Sequence, residues 1–307
     1  MEHVYDMIVI GGGPAGYSAA LYAARAGLDV VVIEKMGAGG QMALTDIIDN
    51  YPGFDQGIEG FALGAQMQAG AQRFGARTEY AEVTHVSLTG EIKRVGTTSG
   101  ELAARTVVIA TGAYPRPLGI EGEAALVGFG VHYCAHCDGR FYKDKTVMVV
   151  GGGNSAVEDA LYLSRLAKKV YLVHRRDTLR AAHIYREQLA HCENVEIIWN
   201  SAVTGFVADR RLTGVQVKHL PDGTQREMLL DGLFVSIGRI PETQMLGTEL
   251  ARDEAGYILA DESTVTNIPG VFAAGDVRTK ALRQVVTAAA DGAVAAHFAE
   301  AHIRGSV

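Results

Sequence analysis

The chain has 307 residues, 48% hydrophobic and 21% charged, with a net charge of −7 at pH 7. That length and apolar content exclude wholesale disorder and a fold that depends on disulfide staples. The acidic balance disfavours a nucleic-acid binder, which would carry a basic patch or stripe, and the length suggests two domains.

The first residues, Met1-Glu2-His3-Val4-Tyr5-Asp6, contain no basic region, so no signal peptide is expected and the protein reads as soluble and cytoplasmic. An uncharged run from Met7 to Ala24 is long enough to raise a membrane span, but Gly11-Gly12-Gly13-Pro14 in its middle would break a spanning helix.

Residues 7–34 read MIVIGGGPAGYSAALYAARAGLDVVVIE, and residues 147–174 read VMVVGGGNSAVEDALYLSRLAKKVYLVH. The two align without a gap, 140 positions apart. Each predicts a strand, a glycine-rich turn, a helix and a second, parallel strand. Gly11, Gly13 and Gly16 allow a tight turn, a close approach of backbone N–H groups to a pyrophosphate, and packing of helix on strand. The helix N-terminus then presents its positive dipole end to the phosphates. Gly151, Gly153 and Ala156 repeat the device. A tight turn that binds nothing is the plainer alternative, which the duplication with identical spacing disfavours.

The residue closing the second strand separates the two sites. Glu34 suits the ribose hydroxyls of FAD or NAD and repels a 2′-phosphate. The matching position opens His174-Arg175-Arg176, with Arg180 beyond, and guanidiniums there suit the 2′-phosphate of NADPH; a solvated basic helix start is the alternative. Two dinucleotide sites imply a relay in which a held flavin accepts hydride from diffusible NADPH.

The relay needs an acceptor, and Cys134-Ala135-His136-Cys137 reads as a redox dithiol with Asp138 beside it as a proton group. The alternatives are zinc on His132, Cys134, His136 and Cys137, and a purely structural pair. A protonated His136 would favour a nearby thiolate, but it reads equally as a solvated loop residue and receives no role. Cys192 has no cysteine partner nearby in sequence and reads as a bystander.

The blocks GGGPAG, GGQ at 39–41, NYPGF at 50–54, ATGA at 110–113, CAHCDG, GGGNSAVE, HRRDTLRA, AAGDV and RQVVTAAADG resemble, in order, those of the low-molecular-weight bacterial thioredoxin reductases. In glutathione reductase-like enzymes the cysteine pair lies near the first fingerprint, where this chain has none. The resemblance implies an α/β fold of two Rossmann-like, three-layer dinucleotide-binding domains. The NADPH domain, residues 116–244, is inserted into a discontinuous FAD domain, residues 1–115 and 245–307. FAD positions would be Gly11, Gly12, Gly13, Pro14, Ala15, Gly16, Glu34, Lys35, Gly39, Gly40, Gln41, Asn50, Val83, Ala110, Thr111, Gly112, Gly275, Asp276, Arg283, Gln284 and Val285. NADPH positions would be Gly151, Gly153, Asn154, Ser155, Ala156, Glu158, His174, Arg175, Arg176 and Arg180.

By the same resemblance, Cys137 is the sulfur facing the flavin, Cys134 attacks the protein substrate, and Asp138 is the acid–base group. The family rotates one domain against the other between half-reactions, and the proline-bearing crossings suit that motion. The implied activity is NADPH-dependent reduction of a thioredoxin disulfide through tightly bound FAD, by a homodimer, with no resident metal. A peroxiredoxin or glutaredoxin-like partner, a dithiol oxidase and a ferredoxin-linked flavoprotein remain as alternatives. His136, Ser155 and Asp159 depart from the family pattern.

Overall fold

The computed structural model describes residues 3–45 and 47–305; Met1 and Glu2, on which the reading of the N-terminus partly rests, lie outside them. The chain divides into two compact units, one made of the residues up to Tyr114 together with those from Ile240, the other of Pro115–Arg239.

In the first unit the strand Val4–Ile10 pairs in parallel with Val30–Glu34 on one side and Gly100–Ile109 on the other. Arg77–Tyr80 and Val271–Ala273 extend the parallel part, and Lys93–Thr97 and Val83–Ser87 add an antiparallel edge. Side chains alternate between faces along a strand, so a strand covered on both sides must be apolar throughout. Met7, Val9, Val30 and Val32 pack with the Ala-rich helices Pro14–Arg25 and Val285–Ile303, whereas Ile8, Ile10, Val31 and Ile33 pack with Leu246, Leu250 and Ile258 on the other face. This explains the uncharged run from Met7: it is a buried strand, a turn and most of a helix. Among the described residues no helix is long and apolar enough to cross a membrane.

The second unit repeats the plan. Five parallel strands lie in the order Val195–Ile198, Lys169–Val173, Thr146–Val150, Gly232–Val235, Val131–His132. Val147 and Val149 face the helix Asn154–Ser164, and Met148 and Val150 face a three-stranded antiparallel sheet of Ser201–Ala208, Leu212–His219 and Gln225–Leu229. Both units are α/β with a central parallel sheet covered on each side, as the sequence leads one to expect.

Candidate active site

The two glycine turns share one backbone plan. Gly13 and Gly153 precede their helices with φ/ψ of −81°/−173° and −91°/−177°. Gly11 and Gly151 both have positive φ, 105° and 153°. A Cβ on Gly11 would meet Ala110 O at 2.4 Å, and one on Gly151 would meet Ser236 O at 2.4 Å. No side chain fits at either turn. Gly16 is equally constrained, because its Cβ would lie 1.8 Å from Gly11 O. In front of each helix the space is open: a Cβ on Gly13 would find only Gly39 O, at 4.0 Å, and one on Gly153 nothing within 4 Å. Neither helix has a side-chain cap, so its first N–H groups remain available to an anion. Both cradles therefore fit a dinucleotide pyrophosphate.

Glu34 closes the first cradle. Its carboxylate accepts hydrogen bonds from Gly12 N at 2.6 Å and Met36 N at 2.9 Å, which fixes it at the end of the turn. The Gly39–Gly40 segment lies alongside, with Gly39 N donating to Gly12 O at 2.8 Å. Gln41 is the second residue of the 3-10 turn Gly40–Leu44. Asn50 donates to the Gln284 side chain at 3.0 Å, joining two candidate positions far apart in sequence. Gln284 in turn forms a capping box with Thr287 at the start of Val285–Ile303. Arg283 lies over the Tyr257 ring and reaches the carbonyls of Asp276 and Arg278. Thr111 donates to Glu242 O at 2.6 Å, and Val83 is buried at the start of its strand. Lys35 instead forms an exposed ion pair with Glu82.

The second cradle is closed by His174, in the register position of Glu34. Its ring is buried against Gly152, where a Cβ would come within 2.2 Å of it, and Nε2 lies 3.0 Å from Thr178 O. Burial, with the nearby guanidiniums of Arg180, Arg176 and Arg175, pushes its pKa below the usual histidine value. His174 is thus a neutral wedge that sets the loop carrying the three arginines. Arg175, Arg176 and Arg180 are exposed. The loop is tied to the fingerprint by Arg180 N to Gly152 O, 2.7 Å, and Ala182 N to Asn154 Oδ1, 2.9 Å. Ser155 is exposed at the helix start, Ala156 is buried against the sheet, and Glu158 interacts with Tyr185.

Cys134 and Cys137 form a disulfide across one turn of helix, Ala135–Asp138, with a Cα–Cα separation of 5.3 Å. The backbone N–H groups of Cys137 and Asp138 both donate to Cys134 O, at 3.3 and 3.1 Å. Gly139 lets this turn lie directly on the fingerprint helix, because a Cβ there would be 2.9 Å from the Tyr162 ring. His136 stacks on Tyr162 and faces Asp159. His132 contacts Asp138 and Tyr142. Cys192 is a free thiol whose hydrogen-bond partners are Ser164 and Gln188.

Sequence reasoning missed one group entirely. Asp291, in the middle of the last helix, accepts hydrogen bonds from Gly275 N, Arg278 and Lys280, and all three side chains are buried. An aspartate interrupting an Ala-rich helix was the available signal.

A duplicated nucleotide cradle with a disulfide packed on one copy defines a nucleotide-dependent disulfide oxidoreductase. The chain belongs to the pyridine nucleotide-disulphide oxidoreductase family, whose model matches residues 5–292. It is 47% identical over 303 residues to a thioredoxin reductase of Listeria monocytogenes, covering 98% of this chain and 95% of the relative. It is 44% identical over 312 residues to that of Peptoclostridium acidaminophilum, covering 100% and 99%. Among solved structures, the thioredoxin reductase of Streptococcus pyogenes superposes with a TM-score of 0.91 at 41% identity, covering 99% of this chain and 100% of that one. That of Giardia duodenalis does so with 0.91 at 36%, covering 99% and 100%. The resemblance to thioredoxin reductases drawn from the motifs is borne out along nearly the whole chain.

Proposed function

We propose that this chain catalyses NADPH-dependent reduction of thioredoxin through FAD and the Cys134–Cys137 disulfide, as a cytoplasmic homodimer. The observation that carries the reading is the disulfide on a one-turn helix lying against the second fingerprint helix. FAD, when bound, supplies the two-electron link between a nicotinamide and a disulfide.

Residues 1–115 and 245–307 hold the flavin, and residues 116–244 hold NADPH. Gly11 to Gly16 receive the FAD pyrophosphate on backbone N–H groups, and Glu34 takes the adenosine ribose on the lone pairs left by Gly12 and Met36. Asn50, Gln284 and the capped start of Val285–Ile303 face the ring system, where the helix dipole favours negative charge. Arg175, Arg176 and Arg180 hold the 2′-phosphate of NADPH. Cys134 and Cys137 accept two electrons as their S–S bond opens. Asp138 supplies or removes the proton at the Cys134 sulfur, and Cys134 attacks the thioredoxin disulfide. Cys137 then closes onto Cys134 and releases reduced thioredoxin.

Anaerobic oxidation of NADPH with oxidised thioredoxin as sole acceptor tests this reading. Rapid turnover with NADPH and little with NADH is the expected result. Flavin bleaching without thioredoxin turnover would assign the dithiol to another protein disulfide. Cys134→Ser should abolish thioredoxin reduction and leave flavin bleaching by NADPH intact.

A further inference from the structure

The redox turn has a buried backing that the disulfide chemistry alone does not require. His132 Nδ1 lies 3.1 Å from Asp138 Oδ2, and His132 Nε2 lies 2.6 Å from the Tyr142 hydroxyl. The exposures fall inward along this line, from 24% for the Asp138 side chain to 7% for His132 and 2% for Tyr142. The imidazole cannot turn freely. It is stacked on Phe234 at 5.3 Å and meets the Tyr142 ring edge-on at 5.2 Å. Its backbone lies in the strand Val131–His132, paired with Gly232–Val235. Asp138 is tied to the disulfide through its N–H bond to Cys134 O.

With Nε2 accepting from the Tyr142 hydroxyl, Nδ1 is left to carry the ring hydrogen beside the Asp138 carboxylate. We propose that His132 is a positioning residue for the thiol–disulfide exchange: clamped by Tyr142 and Phe234, it donates its Nδ1–H to Asp138 and holds that carboxylate in place to exchange a proton with Cys134. The inference rests on the role given to Asp138 above. During exchange the Cys134 S–H bond breaks and its proton passes to Asp138. The sulfur bonds to one thioredoxin sulfur as the thioredoxin S–S bond breaks. Asp138 returns that proton to the thioredoxin sulfur set free, and Cys137 loses its own proton to the second thioredoxin sulfur as it displaces it and re-forms the enzyme disulfide, so the enzyme dithiol is oxidised and thioredoxin is reduced by two electrons and two protons.

Burial pushes Tyr142 up to about 12, so its hydroxyl stays protonated through the working range. Arg211 and Asp231 also act on Tyr142, and Lys145 lies over its ring.

The test is the pH profile of thioredoxin reduction by the holoenzyme. His132→Phe keeps the stacked ring and removes both nitrogens. Losing the imidazole nitrogen beside the carboxylate should change the pH profile of thioredoxin reduction and lower kcat roughly 10-fold, with KM for thioredoxin little changed. His132→Asn keeps a donor on the γ position and should restore most of the profile. In an Asp138→Asn background, His132→Phe should add nothing further. Flavin content and anaerobic flavin bleaching by NADPH should be unchanged throughout. An unmoved profile in His132→Phe, or an equal further loss in the Asp138→Asn background, would overturn the proposal. If His132→Phe fails to hold flavin, Tyr142→Phe, which loses only the hydroxyl, is read the same way: a smaller change of the profile supports the line and an unmoved profile overturns it. If the wild-type enzyme does not reduce thioredoxin, the substrate reading fails, and the line is read from alkylation of dithiothreitol-reduced Cys134 by iodoacetamide across pH. Different midpoints in wild type and His132→Phe support it, and identical midpoints overturn it.

Discussion

His136 Nδ1 lies 3.9 Å from Asp159 Oδ1, so the residue between the two cysteines is coupled to the helix of the second glycine fingerprint. The structure brings together two residues that the sequence resemblance marks as departures from the expected motifs. Asp159 is held from the other side by the Ser236 hydroxyl, which donates to its second oxygen. Burial raises the Asp159 carboxyl above the usual range, against Ser236 and His136, which favour its charged form.

That direction gives a pH prediction. A carboxyl whose folded-state pKa is raised binds its proton more tightly in the folded chain. Its stabilising contribution is present below the unfolded value, about 4, and is lost as pH rises through the folded value. Asp159→Asn keeps an acceptor for Ser236 and removes the ionisation. Melting of the holoenzyme from pH 4 to 8 should show a shallower decline in the variant, which should gain about 1 kcal/mol over wild type at pH 7. Parallel curves would show that Asp159 does not titrate in this way. His136→Ala should steepen the decline, since it removes a favourable partner of the charged form.

Why some of this was legible in sequence and some not follows from distance along the chain. Gly11, Gly16 and Glu34 belong to one local strand–turn–helix–strand unit whose steric needs fix residue type at fixed spacing. The same needs recur at Gly151 and His174, and the two turns agree in the angles of Gly13 and Gly153 and in the sign of φ at Gly11 and Gly151. The unbroken apolar run of Met7 to Ile10 is likewise what a strand buried on both faces requires. By contrast, the orientation of His174, with its ring under Gly152, depends on the return of Thr178 and is invisible in a run that reads simply as basic. The line from Asp138 to Tyr142 joins a strand end, a helical turn and a 3-10 turn. Nothing periodic connects those residues. His132 stood out in sequence only as one of four candidate metal ligands.

Cofactor choice should follow the arginines and not the histidine. Arg175→Ala with Arg176→Ala removes two exposed guanidiniums from the loop anchored at Gly152, and KM for NADPH should rise on the order of 100-fold while that for NADH changes little. An equal loss for both nucleotides would remove the 2′-phosphate from this loop. The lowered pKa of His174 means that it carries no charge at neutral pH. Its contribution to stability is present above the unfolded value, about 6.5, and is lost as pH falls toward the folded value.

Flavin retention should depend on the first cradle in two separable ways. Glu34→Ala removes the acceptor of two backbone N–H groups together with the proposed ribose contact, and purified protein should contain a minor fraction of the wild-type flavin. Glu34→Gln keeps the shape and one strong acceptor, and should retain more. Gly16→Ala should fail differently, because its Cβ would overlap Gly11 O and force the helix off the strand. Flavin absorbance per chain and melting temperature separate the two. Glu34→Ala should change occupancy more than apoprotein stability, and Gly16→Ala should lower both. Undiminished flavin in Glu34→Ala would remove Glu34 from the site.

The last helix is fastened to the preceding turn by charge. Asp291 Oδ2 accepts from Gly275 N, Arg278 Nε and Lys280 Nζ at 2.8, 2.9 and 2.8 Å, and Oδ1 accepts from Arg278 Nη2 at 2.8 Å. Side-chain exposure is 7% for Asp291, 1% for Arg278 and 4% for Lys280, whereas Glu262, 3.5 Å from Arg278, is 92% exposed and adds little. Burial alone would raise the Asp291 carboxyl; Arg278, Lys280 and Gly275 N hold it below the usual range instead. A depressed folded value means that the stabilisation is present above the unfolded value, about 4, and is lost as pH falls toward the folded one. Asp291→Asn leaves two buried cations without their counter-charge, a change that costs about 3–5 kcal/mol. Melting should fall by roughly 10 °C and flavin should be lost, since Gly275 N also loses its charged acceptor. Adding Lys280→Met removes one stranded cation and should recover part of the loss. If the double variant is no more stable than Asp291→Asn alone, the penalty lies in the Gly275 turn and not in unpaired charge.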